Sequence, residues 1–177
     1  LVSHVFESLV ISDGQSVIKP QLAQSWQQLD EHTWQFNLRK NVNFSNGAAF
    51  TTDDVIYSFC RNYSSKKGGR GAVASTVDLI DTVDTPDPHT LIIKTKVPQP
   101  DLDRLLRNLK VISASTGQFD NIYFDREADC GVEKYVTTSE IDEGNAIGTG
   151  PYTMASFNKG GTSLLERNPN YWGDMPD

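Results

Sequence analysis

The sequence predicts an α+β fold in which β-hairpins are interspersed with helices, rather than a regular βαβ array. Three observations predict it. Apolar residues alternate with polar ones over Thr33 to Arg39, a fully signalled helix start follows at Thr51, and strand-like runs come in pairs across turn residues with no internal repeat.

Taken in order, Val5 to Ile11 reads as a strand ended by the turn Ser12-Asp13-Gly14. A hairpin joins Ser25-Trp26-Gln27 to Thr33–Arg39 through Asp30-Glu31-His32, and Trp34, Phe36 and Leu38 mark its buried face. Asn46-Gly47 supplies a turn that tolerates positive φ. Thr51 can then cap a helix, with Asp54 as the capping-box acid and Phe50 placed to staple onto Val55. Ile56, Phe59, Cys60 and Tyr63 follow at helical spacing. Residues 66–75 are glycine-rich and read as a loop. A second hairpin pairs 77–80 with 89–95 across Thr85-Pro86-Asp87-Pro88, and Asp101 opens a helix with Leu102, Leu105, Leu106 and Leu109 on one face. Residues 117–143 are polar and weakly periodic, and are read as one or two helices with a loop. A last hairpin runs from Pro151–Phe157 to Thr162–Glu166 across Asn158-Lys159-Gly160-Gly161.

The chain has 177 residues, enough for a sizeable core, and its 37% hydrophobic and 22% charged content fits a globular protein. A net charge of −7 argues against nucleic acid as a partner. The one dense basic stretch, residues 66–70, is read as a solvated loop. No run approaches the roughly 18 apolar residues of a membrane span. The chain starts at Leu1 without a signal peptide and ends in a motif that usually leads onward, so both ends are read as cut. Cys60 and Cys130 are too far apart for a CxxC motif, which leaves two open readings, buried free thiols or one disulfide.

Catalytic chemistry finds no foothold. His4, His32 and His89 lack metal-ligand spacing, and His32 and His89 are read as surface residues of turns. There is no GxSxG elbow, no P-loop and no GxGxxG. Gly148-Thr149-Gly150 runs straight into Pro151, which cannot open a phosphate-cradling helix. Asp53-Asp54 could pass for a general acid/base pair, but carboxylates in the first turn of a helix are explained by its free amides and dipole. The reading is therefore of a non-enzyme with no cofactor and no metal.

The ordered segments resemble the peptide and nickel class of bacterial extracellular solute-binding proteins, family 5. The match runs through Val5–Val10, Pro20–Trp26, Trp34–Arg39, Val42–Gly47 and Thr51–Phe59, and closes with Gly148–Tyr152 and Glu166–Gly173. Ser8, Asn41 and Ala48-Ala49 depart from the usual residues at surface turns. The resemblance implies a periplasmic-binding-protein-like fold of type II, two lobes closing over a solute, of which this chain is a fragment. Residues 1–113 would be the small extra domain of the first lobe and 114–177 the start of the return into its main α/β domain, with the second lobe absent. It implies the capture component of an ABC importer, periplasmic or extracellular with a lipid anchor as an option, monomeric, partnered by a peptide or other small solute and by the membrane permease. Binders of nickel complexes, opines or oligosaccharides, and the sensor domain of a transcriptional regulator, are the alternatives. The resemblance also favours a Cys60–Cys130 bridge, because a subgroup carries cysteine at both positions. By loose correspondence it points to Gly69, Arg70, Gly71, Arg107, Asn108 and Lys110 as ligand-binding residues; Glu7 is read as ordering a strand start rather than touching ligand.

Overall fold

The computed structural model describes residues 2–15, 17–64, 73–158 and 160–175. The chain enters through one helical turn, α1 (Val2–Val5), and a short antiparallel pair, β1 (Val10–Ser12) with β2 (Ile18–Pro20). The strand expected over residues 5–11 is therefore mostly absent. Residues 5–10 are buried without alternation, and their backbone is satisfied by distant segments: Ala23 N–H donates to Leu9 at 2.8 Å, Val111 to Glu7 at 2.9 Å and Gly150 to Val5 at 2.9 Å. A continuous apolar run signals burial, and here the burial is that of an irregular segment threaded through the core.

The main sheet is antiparallel, in the order β3 (Ala23–Gln28), β4 (Thr33–Leu38), β6 (Thr90–Thr95), β5 (Ile80–Asp87). Its inner face is the alternation seen in the sequence: Trp34, Phe36 and Leu38 from β4 and Leu91 and Ile93 from β6 are buried. The second hairpin is shifted from its expected place. Val77 lies in a short helix, α3 (Ala74–Asp78), and the strand starts at Ile80 and runs through Pro86. Pro86 is tolerated because β5 is an edge strand, where a missing N–H leaves no ladder bond broken.

Between β4 and β5 lies α2 (Thr52–Tyr63), with the capping box read from the sequence: Thr51 accepts from the amide of Asp53, and its own N–H donates to Asp54 at 2.8 Å. Phe50 and Val55, the expected staple, are both fully buried. The helix opened by Asp101 is one short turn and a half, α4 (Leu102–Leu106), with Leu102, Leu106 and the following Leu109 buried.

The helices expected over 117–143 are largely replaced by a short pair, β7 (Gln118–Phe119) with β8 (Val132–Lys134), and the helical turns are a distorted one at Asp129–Gly131, α5 (Thr138–Glu140) and the turns after it. This region lacks a periodic apolar stripe of its own and is held by others. Cys130 is bonded to Cys60, with Cα atoms 6.1 Å apart. The last hairpin, β9 (Tyr152–Ser156) with β10 (Leu164–Arg167), forms as read. Gly148 and Gly150 are required just before it, because a Cβ there would collide with the carbonyls of Val5 and His4. Among the described residues, no helix is long and apolar enough to cross a membrane.

The bridge closes a 70-residue separation, for which the chain-entropy relation gives a stabilisation of about 4 kcal/mol. Denaturant unfolding of the protein with and without reductant, and of the Cys60→Ala/Cys130→Ala variant, should show a loss of about 2–5 kcal/mol. Equal stabilities would mean that the bond contributes nothing to holding the 118–136 segment.

Candidate functional site

A buried polar cluster gathers on the irregular segment 6–9. Glu7 is only 3% exposed, and a buried carboxylate must find donors. Trp172 donates its indole N–H to Glu7 Oε2 at 2.7 Å and Gln21 its amide to Oε1 at 3.2 Å. The Thr149 hydroxyl is close enough to draw the Glu7 pKa down, yet it meets hydrogen-bond geometry with no described group. Burial outweighs these donors and the Lys110 charge, and holds the Glu7 carboxyl above the usual carboxylate range.

The neighbouring Ser8 is equally buried and turns the cluster toward the surface. Its N–H donates to Gln21 Oε1 at 3.0 Å, and its hydroxyl donates to the Arg107 carbonyl at 2.8 Å while accepting from Lys110 Nζ at 2.9 Å. Lys110 is half-buried; burial pulls its pKa down and the Glu7 charge pushes it back up. On the other flank, Arg39 Nε donates to the Gln21 carbonyl at 2.6 Å and its guanidinium lies 4.6 Å from the centre of the Trp172 ring. The loop Glu7–Gln21–Arg39–Trp172 thus joins four segments far apart in the chain.

Of the expected ligand residues, Lys110 joins this cluster with its side chain and Arg107 with its carbonyl. The side chains of Arg107 and Asn108 are exposed. Gly69, Arg70 and Gly71 lie outside the described residues. Glu7 does not order a strand; it is the hub. The sequence carried one signal for this, an acid interrupting an apolar run, and none for its partners Gln21, Arg39 and Trp172. His32 and His89 are half-buried rather than plain surface residues: His32 Nδ1 contacts the Thr95 carbonyl at 2.9 Å, and His89 Nδ1 is buried without a hydrogen-bond partner. Among the described residues no group of three or more His, Cys, Asp or Glu could hold a metal ion. A cleft of about 540 Å³ lies away from the cluster, where Asp78, Asp81, Asp125 and Glu127 face Lys96 and Arg126; Arg126 there pairs with Asp78 at 3.7 Å.

This arrangement can hold and orient a solute by charge and hydrogen bonding. The profile described as "Bacterial extracellular solute-binding proteins, family 5 Middle" matches residues 17–177. The chain belongs to the family 5 solute-binding proteins. It is 26% identical to the periplasmic oligopeptide-binding protein OppA of Escherichia coli over 96% of its own length and 32% of that protein's. It is 30% identical to the probable D,D-dipeptide-binding periplasmic protein DdpA of the same species, over 93% of this chain and 29% of the relative. Among solved structures, NikZ of Campylobacter jejuni in complex with Ni(L-His) superposes with a TM-score of 0.77 at 24% identity, covering 97% of this chain and 31% of that one. OppA of Burkholderia pseudomallei superposes at 0.75 and 22% identity, covering 96% and 33%. The chain thus spans about a third of the length of the family 5 proteins it matches, and its fold is a mixed α+β portion of their two-lobed architecture. These homologues are substrate-binding proteins rather than enzymes.

The raised pKa of Glu7 fixes a sign. The unfolded chain releases this proton at lower pH than the folded one, so its contribution to stability is complete below the unfolded value and is lost as pH rises through the folded value. Stability of wild type relative to Glu7→Gln should therefore fall as pH rises above the ordinary carboxylate value of about 4.3, as read by urea unfolding over a series of pH values. A relative gain in stability with rising pH would contradict the assignment.

Proposed function

We propose that this chain is part of the capture component of an ABC importer, and that it supplies one wall of a cleft in which a di- or oligopeptide is held without covalent chemistry. The observation that carries the reading is the Ser8–Lys110 pair. A half-buried ammonium, held at 2.9 Å by a hydroxyl that is itself fixed to the Arg107 carbonyl, is a pre-positioned donor for a carboxylate or peptide carbonyl. Curated relatives named for oligopeptides, D,D-dipeptides and murein peptide support peptide as the solute class. Their description as periplasmic supports an extracytoplasmic location for this chain.

In the same reading, residues 1–113 form the small extra domain of the first lobe and 114–177 begin the return into its main domain. A second lobe supplies the opposing wall, and closure around the solute is what the permease recognises. Arg107 and Asn108, exposed at the rim beside Lys110, and Gly69, Arg70 and Gly71 are the further proposed contacts.

The test is a thermal-shift titration of the full-length protein against a panel of di- to pentapeptides, nickel complexes and oligosaccharides. A peptide should raise the melting temperature in a saturable way, and Lys110→Met should weaken that peptide about tenfold or more while leaving the ligand-free melting temperature within a few degrees. A shift with a non-peptide solute alone, or a peptide response indifferent to Lys110→Met, would overturn the reading.

A further inference from the structure

Beyond the Trp172 ring lies a groove of about 380 Å³, lined by Gln24, Arg39, Lys40, Asn41, Val42 and Trp172. It adjoins a second of about 420 Å³ that shares Gln24 and Lys40. In a chain of net charge −7, the first groove carries two adjacent cations, two amides and no carboxylate among its lining residues. Neither cation belongs to an ion pair among the described residues. Asp87, in the adjoining groove, already accepts from the Thr90 side chain and from the His89 N–H at 2.8 Å, and feels Lys40 only as a weaker charge.

Arg39 is also unusually well fixed. Its Nε is bound to the Gln21 carbonyl at 2.6 Å, and its guanidinium carbon sits over an indole that is itself tied to Glu7 at 2.7 Å. A guanidinium held at one nitrogen and against an aromatic ring keeps its outer N–H groups for a partner and loses little freedom on binding one. Lys40 adds an exposed ammonium at the rim, and Gln24 and Asn41 add amides that can donate.

We propose that this groove is a second solute site, which takes a small anion bearing a carboxylate or phosphate group. The guanidinium fork receives two oxygens of the anion, the Lys40 ammonium supplies the second charge, and the amides select for oxygen acceptors over a bare halide. The proposal does not rest on the peptide reading of the Ser8–Lys110 pair, since the groove shares only Arg39 and Trp172 with that cluster.

The experiment is isothermal titration of the full-length protein with succinate and with inorganic phosphate at low ionic strength. It is run on wild type, Lys40→Gln, Lys40→Arg, Arg39→Lys and the exposed control Lys94→Gln, with each variant's melting temperature measured. Saturable binding of either anion, weakened about fivefold or more by Lys40→Gln and by Arg39→Lys, retained by Lys40→Arg and unchanged by Lys94→Gln, supports the site. Absence of binding, or equal weakening by Lys94→Gln, overturns it, the latter because general surface charge would then suffice. Flotation with phosphatidylglycerol and phosphatidylcholine vesicles separates the sources of the anion. Capture by phosphatidylglycerol vesicles without binding of free anions would overturn a soluble ligand in favour of a lipid headgroup. Should Arg39→Lys unfold the protein, the Lys40 pair still decides the outcome.

Discussion

The burial of α2 on two faces is the constraint on which the rest of this structure depends. Val55, Ile56 and Phe59 face the apolar core and are at most 2% exposed. A second stripe at helical spacing, Asp54, Tyr57, Ser58 and Arg61, is polar and docks the returning chain. Asp54 Oδ1 accepts the Ala114 N–H at 2.8 Å, Ser58 Oγ accepts that of Ile112 at 3.0 Å, the Tyr57 hydroxyl accepts that of Val136 at 3.0 Å, and Arg61 Nε donates to the Val136 carbonyl at 2.9 Å. Burial lifts the Asp54 pKa to about 6 even with its backbone donors in place, so the helix can be buried there only with partners that satisfy it. The segment 112–136, poor in regular structure, is such a set of partners, and the Cys60–Cys130 bond closes the same contact.

That docking reaches the candidate site within two residues. Ile112, tied to Ser58, follows Val111, whose N–H holds the Glu7 carbonyl at 2.9 Å, and Lys110 precedes it. The backbone at Lys110 is therefore set from the core outward, and the Ser8 hydroxyl at 2.9 Å holds its ammonium. On the opposite side, Trp172 returns from the far end of the chain to close over Glu7, and Gly148 and Gly150 let that returning strand approach the first segment closely. In the proposed function, a wall with a few polar groups held in fixed positions is what capture of a solute requires of this chain.

The legible parts of the fold were those whose signal is local. The alternation of Trp34, Phe36 and Leu38, the capping box of Thr51 and Asp54, and the final hairpin each rest on residues within a few positions of one another, and each formed where read. Residues 5–9 depart from the expected strand because a buried irregular segment and a buried strand show the same apolar run. Val77 lies in α3, with the strand starting three residues later, and the helical part of 117–143 falls mainly at 138–145, because α2 holds much of the rest. Of the residues gathered in the candidate site, the sequence singles out Lys110 and Arg107 and reads Glu7 only as a strand start. The other members converge from residues 8, 21, 39, 149 and 172, and no spacing rule reports such a convergence.

In the proposed function the face around Ser8 and Lys110 meets the solute and α2 is its support. Hydrogen–deuterium exchange of the full-length protein, with and without a saturating peptide, distinguishes the two roles. Exchange should slow at residues 7–9 and 107–111 on binding and stay unaltered within α2. Protection confined to other parts of the protein, with residues 7–9 and 107–111 unaffected, would contradict it.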